Sequence, residues 1–340
     1  MKVEVTSRTL AQRDAFADTL LELMRADERV YVLDGDLANS TRADRVAQQL
    51  PERFLEMGIA EQNMMGVAAG MATCGLIPWL SSFACFLTNR DLDQLRVVVA
   101  QPRLNVKIGA AYSGILTAKT GKTHQEVSDL AIMRAMPHMT VVAPADAVEV
   151  RLAMLAANAW DGPVYLRLTR DPSPVIFAED EAISGGQRPA AASPVGPAPG
   201  ATRHAFAIGR AALLREGGDV AIISTGVQTV RSLQAADLLA QEGIGVYLLH
   251  VSTLKPLDTE AIVQAASRTR RVVTAEDHTV IGGLGGAVAE VLGEHLPTPM
   301  RRVGIADTFG ESAPDADLLR KYGLTPEHVA AAARALLESS

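Results

Sequence analysis

The chain is poor in thiols, in aromatic rings and in positive charge. Cys74 and Cys85 are its only 2 cysteines. Their spacing fits neither a metal-ligand set nor a disulfide framework, so buried thiols in a reducing compartment, the cytoplasm, are expected. Aromatics make up 4% of the residues. Lys and Arg number 32 against 39 Asp and Glu, a formal charge of −7 with no basic stripe to release counterions, which excludes nucleic-acid binding. Met1-Lys2-Val3-Glu4-Val5 lacks the apolar core of a signal peptide. No uninterrupted membrane-length segment is present either. Residues 64–87 carry no formal charge, but Gly75 and Pro78 break them and Ser81-Ser82 follow. A helix, a turn and a buried strand fit better than a membrane span.

What is abundant points one way. Hydrophobic residues are 48% of 340, enough for two or three domains, and Ala, Val, Leu and Gly suit helices laid over parallel strands. Helical periodicity covers residues 8–26, and strands are read at Arg29–Asp34, Ile77–Leu80, Asn105–Ala110, Thr140–Ala143 and Val164–Leu168. Helices follow Glu61, ending near Gly75, and run from Arg90 to Ala100. Pro144 and Asp146 open another, with Glu149 at capping-box spacing. Residues 178–204 mix Pro189, Pro194, Pro197 and Pro199 with Ala, Ser and Gly and read as a linker. Beyond it, Asp219–Ser224, Gly245–His250 and Arg271–Ala275 start a second αβ series. The expected fold is α/β, two doubly wound domains with parallel or mostly parallel sheets, over residues 1–177 and 205–340.

Several motifs are weak. Gly121-Lys122-Thr123 looks like the end of a phosphate loop, but Leu116 stands where the pattern needs glycine. Gly282-Gly283-Leu284-Gly285-Gly286 opens a helix after a strand and misses the dinucleotide fingerprint, so a tight turn with close helix packing is favoured. Asp34-Gly35-Asp36 has no evident third cation ligand. Phe83 and Phe86, three residues apart, are either core or a ring-stacking platform. Glu61 stands at the head of the apolar run, where a carboxylate must be paired, neutralised or used.

Together, Gly58-Ile59-Ala60-Glu61-Gln62-Asn63, Ser82-Phe83-Ala84-Cys85-Phe86, Asp93-Gln94-Leu95-Arg96 and Thr123-His124-Gln125 resemble the pyrimidine-binding domain of transketolases. Leu254-Lys255-Pro256-Leu257-Asp258 and Gly282–Gly285 resemble the family's C-terminal domain. The resemblance implies thiamine diphosphate with Mg2+ or another divalent cation. It also implies an absence, because the Gly-Asp-Gly motif that holds the diphosphate and metal occurs nowhere in this chain. The chain thus resembles the C-terminal subunit of a split transketolase. Its N-terminal partner would bind most of the cofactor, no metal would bind here, and the two would form an α2β2 heterotetramer acting on sugars.

Carried over by resemblance, Glu61 bonds the pyrimidine nitrogen and favours the tautomer that takes the thiazolium proton. Phe83 and Phe86 line the pyrimidine, and His124 stands near the reacting carbonyl. Arg13 and Ser40 match residues that grip a sugar phosphate. Three departures bear on the substrate: Tyr112 replaces a second active-site histidine, Thr120 an aspartate, and Ala143 a phosphate-binding arginine. The implied reaction moves a two-carbon ketol unit from a ketose to an aldehyde. Alternatives within the resemblance are a β-type subunit of a 2-oxo-acid dehydrogenase, a 1-deoxyxylulose-phosphate synthase, or transfer of the unit to a carrier. A non-catalytic scaffold is the alternative outside it.

Overall fold

The computed structural model describes residues 3–117, 119–179 and 202–338. Its main strands are β1 (Val30–Asp34), β2 (Phe54–Glu56), β3 (Ile77–Phe83), β4 (Lys107–Ala111), β5 (Thr140–Val142), β6 (Val164–Arg167), β7 (Ala212–Arg215), β8 (Val220–Ser224), β9 (Val246–His250), β10 (Thr253–Lys255), β11 (Val272–Thr279) and β12 (Met300–Ile305). The longer helices are α1 (Gln12–Ala26), α2 (Glu61–Thr73), α3 (Ala84–Asn89), α4 (Asp129–Ala135), α5 (Ala147–Ala159), α6 (Gln228–Gln241), α7 (Thr259–Thr269), α8 (Leu284–His295), α9 (Asp315–Lys321) and α10 (Pro326–Glu338).

One sheet has seven strands in the order β10–β5–β6–β4–β3–β1–β2, the other five in the order β7–β9–β8–β11–β12. Within them only the edge pairs β10–β5 and β7–β9 are antiparallel. The α/β expectation therefore holds, with parallel interiors and antiparallel edges. Every residue of β3 and β4 is buried, the result of covering both faces of a parallel sheet with helices. Phe16, Trp79 and Val142 pack one face of the larger sheet. Met64, Leu80 and Ile108 pack in a second cluster that continues into Leu249, Val272 and Leu284. The two sheets thus share apolar core, and β10 of the second half completes the first sheet.

Polar groups reinforce that junction. Lys255 Nζ donates to the carbonyls of Arg134 and Met136. Arg167 pairs with Asp129 at 2.9 Å and donates to the Asp277 carbonyl at 2.8 Å, all at buried positions.

The structure refines one expected helix and corrects one expected burial. The helix read over Arg90–Ala100 is a short α segment, Leu92–Gln94, continued by a π-helical stretch, Leu95–Ala100. Cys74 is exposed at the end of α2, whereas Cys85 is buried and its thiol is pushed up to about 12 by burial. Residues 180–201 of the expected linker lie outside the described residues. Its flanks are ordered, because Phe177–Glu179 pairs in parallel with Thr202–His204 and the rings of Phe177 and His204 stack at 4.0 Å.

The glycine cluster before α8 is met by a carboxyl group of the chain itself. Glu276 accepts hydrogen bonds from Leu284 N at 2.7 Å and Gly285 N at 2.8 Å, occupying the helix start that a phosphate would use. Burial pushes this carboxyl up to about 7. A Cβ on Gly283 would overlap Glu276 and His278, so tight packing explains the motif.

Candidate functional site

The carboxyl ends of β1, β3, β4 and β6 lie side by side, the edge where parallel α/β sheets bind ligands. The segments that follow these strands bring most of the expected residues together. Phe83 ends β3, and Phe86 lies on the first turn of α3. Their rings are 5.8 Å apart and nearly parallel. Tyr112 follows β4 with φ of 60° and stacks on Phe83 at 3.8 Å. His124 meets Phe83 and Phe86 edge-on at 5.9 and 5.5 Å, and its Nδ1 lies 2.9 Å from Thr123 Oγ1.

Glu61 opens α2 and is 3% exposed. Nη1 of Arg90 donates to its two oxygens at 3.1 and 3.3 Å, and the Arg90 guanidinium lies over the Phe86 ring at 3.9 Å. Sequence reasoning missed Arg90. Its signal was present, a cation four residues after an aromatic on one helical path. Asp91, next in the chain, is fully buried with neither carboxyl oxygen hydrogen-bonded. Burial, followed by the nearby Glu61 charge, pushes it up to about 8.

A cationic group adjoins the aromatic one. Arg13, at the start of α1, donates to the Ser40 carbonyl at 3.0 Å and to Tyr112 Oη at 3.3 Å. Its Nε is buried with no acceptor. Ser40 therefore contributes its backbone here, while its hydroxyl donates to Asn39. Arg170 donates from Nε to the same Tyr112 Oη at 3.0 Å. It too escaped notice in the sequence, although an arginine just past a parallel strand is well placed to meet a ligand. Burial works against the Arg170 charge, but Tyr112 and Asp171 outweigh it and raise its pKa.

Two expected positions lie elsewhere. Thr120 bonds Thr117 and lines a separate cavity of about 740 Å³ with Thr123, Phe309, Lys321 and Tyr322. Ala143 is buried at the junction of the two halves, donating to the Ser252 carbonyl and accepting from Gly226 N. Ala143 brings no cation to the aromatic cluster, and Arg170 stands beside Tyr112 there.

Asp34 is occupied structurally. It accepts from Leu37 N at 2.7 Å and faces Thr41, and burial pushes it up to about 6. Among the described residues no group of three His, Cys, Asp or Glu could hold a metal ion, and no helix is long and apolar enough to cross a membrane.

Comparison with known proteins agrees with this fold. The transketolase pyrimidine binding domain matches residues 8–174, and the transketolase C-terminal domain matches residues 209–329. The 6-deoxy-6-sulfo-D-fructose transketolase subunit SqwH of Clostridium sp. (strain MSTE9) is 43% identical over 96% of this chain and 94% of its own length. An apulose-4-phosphate transketolase subunit of Phocaeicola vulgatus is 33% identical over 96% of this chain and 97% of its own. A solved split-gene transketolase, in an inactive β4 tetramer, superposes with a TM-score of 0.82 at 42% identity, covering 97% of this chain and 99% of that one.

Proposed function

The chain belongs to the transketolase family, and on that premise we propose that it is the pyrimidine-side subunit of a two-component transketolase. With a diphosphate-binding partner it transfers a two-carbon ketol unit from a ketose with an anionic group to an aldehyde. The observation that carries this reading is the meeting of the Phe83–Phe86–Tyr112–His124 rings with Arg13 and Arg170 at one sheet edge. The two relatives' names, one a sulfo-sugar and the other a sugar phosphate, agree with an anionic substrate end.

Phe83, Phe86 and Glu61 would hold the aminopyrimidine of thiamine diphosphate. Arg90 supports the fit: a planar cation already lies on Phe86 with an N–H on Glu61, so these groups accept a flat ring that donates a hydrogen bond. Arg90 has a side chain 46% exposed and can swing aside. When bound, the cofactor supplies the electron sink that lets a carbon–carbon bond next to a carbonyl break. Glu61 anchors a proton on the ring it bonds, and the aromatic walls exclude water. His124 offers a donor where charge develops on the substrate oxygen. Arg13 and Arg170 hold the anionic end, orienting the carbonyl toward His124.

With no Gly-Asp-Gly in this chain, the proposed partner would hold the diphosphate and its Mg2+, in an α2β2 assembly. The test mixes the chain with a partner subunit carrying that motif, the cofactor and Mg2+. Ketol transfer from anionic ketoses is expected. Glu61→Ala should lower kcat at least about 100-fold, the scale of a lost acid–base contact. Arg170→Ala should chiefly raise KM. Undiminished activity in Glu61→Ala would leave only the scaffold reading.

A further inference from the structure

Arg170 does not face Tyr112 alone. Its guanidinium also pairs with Asp171, and the Asp171 carboxyl hydrogen-bonds that of Asp315, the first residue of α9. Oδ1 of Asp315 is buried and no N–H or hydroxyl donor reaches it. Two carboxyl groups so placed must share a proton or repel each other. The line Tyr112–Arg170–Asp171–Asp315 therefore starts on the aromatic cluster and crosses to the second half of the chain.

We propose that Asp315 is a positioning residue for the anionic end of the substrate, setting through Asp171 how much of the Arg170 charge an incoming anion can use. The inference rests on the reading of Arg170 as an anion-binding group.

With both carboxyls ionised, two negative charges stand behind Arg170 and oppose an anion on its other side. One shared proton removes half of that opposition. Asp315 faces Asp171, Arg170 and Arg231, and the two guanidiniums stay charged across the working range. Burial, then the bond and charge of Asp171, push Asp315 up to about 6, against the pull of Arg231 and Arg170. Below that pH the acid pair holds the proton and anion binding is favoured. Above it the proton leaves and anion binding weakens. The second half of the chain thereby acts on a pocket built by the first.

Inorganic sulfate is a suitable probe, because its charge is constant from pH 5.5 to 8. Its affinity for the full chain is measured by isothermal titration calorimetry across that range. The Kd should rise about three- to tenfold between pH 5.5 and 7.5, as expected for one added charge at partly screened range. Asp315→Asn should bind sulfate with a Kd that is flat in pH and close to the low-pH value, and Asp315→Glu should restore the slope. Asp315→Ser, a smaller polar residue without a titrating group, must flatten it as well. A wild-type slope in both Asp315→Asn and Asp315→Ser overturns the inference. Arg170→Ala separates the two levels of the argument. If it leaves sulfate binding unchanged, the anion site itself is wrong and the inference falls with it. If it weakens sulfate about tenfold while the Asp315 variants keep the wild-type slope, the anion site stands and only the role of Asp315 is lost.

Discussion

At the scale of single residues, the unusual energetics lie beside Glu61. Asp91 is buried with no hydrogen bond to either oxygen, and its pKa of about 8 means that it stays protonated in the native chain at neutral pH. An unfolded aspartate ionises near about 3.9. The native state therefore retains a proton that the unfolded state gives up, so the contribution of Asp91 is full below pH ~4 and is lost as pH rises to 8. Asp91→Asn removes that loss. It should raise stability by on the order of 3–5 kcal/mol at pH 8 and by much less at pH 5. Melting curves at the two pH values decide it; equal gains at both would mean that Asp91 is not the titrating group. Nothing in the sequence marked Asp91, because an aspartate after an arginine reads as surface charge until the fold closes over it.

At the scale of elements, the segment from Tyr112 to Ser128 carries half of the ring cluster and is held from the second half of the chain. Ile115 N reaches Asp277 Oδ1 at 3.4 Å, and Gln125 Nε2 donates to the Glu311 carbonyl at 3.0 Å. Ser312 Oγ donates to the Lys119 carbonyl, and Thr279 N to that of Val127. Gly114 makes this approach possible: its φ is +76° and a Cβ would overlap the Asp277 carboxylate. Gly114→Ala should cost about 2–3 kcal/mol in denaturant unfolding, combining overpacking with left-handed strain. Activity of the assembled enzyme should fall further than stability, since Tyr112 and His124 flank the change. A neutral Gly114→Ala would show that the segment adapts freely. The α/β rhythm around it was legible from apolar runs, and His124 from its motif. The path of the segment was not, since residues far apart in sequence hold it.

At the scale of the whole molecule, the two halves are locked by a buried carboxylate between two imidazoles. Glu149 of α5 accepts from His250 Nε2 at 2.8 Å and from His204 Nε2 at 2.9 Å, while Thr229 bonds the other nitrogen of His250. Burial alone would raise the Glu149 pKa, but the imidazoles outweigh it and hold the carboxyl well below the usual range. That stabilisation is present above the unfolded pKa and is lost as pH falls through acid. Glu149→Gln should cost about 3 kcal/mol near pH 7, as for a broken buried pair. Calorimetry should then resolve two transitions where the wild type has one, and the deficit should shrink in acid. A single transition with unchanged enthalpy would argue against the lock. The capping-box spacing of Asp146 and Glu149 was visible in sequence, and Asp146 does accept from Glu149 N at 2.8 Å. The Glu149 side chain instead bonds Ala145 N and the two histidines.

The amino-acid order alone determined the parallel α/β class, the family motifs around Glu61, Phe83 and His124, and the lack of a Gly-Asp-Gly motif in these 340 residues. These follow from short-range periodicity and local spacing, which chain order carries directly. The tertiary structure decided that Arg90 covers Glu61, that Arg170 meets Tyr112, that Ala143 is buried at the junction of the halves, and that Glu276 fills the glycine-rich helix start. Each depends on side chains from different elements meeting across packed sheets, and only the closing of the two halves on each other brings them within reach.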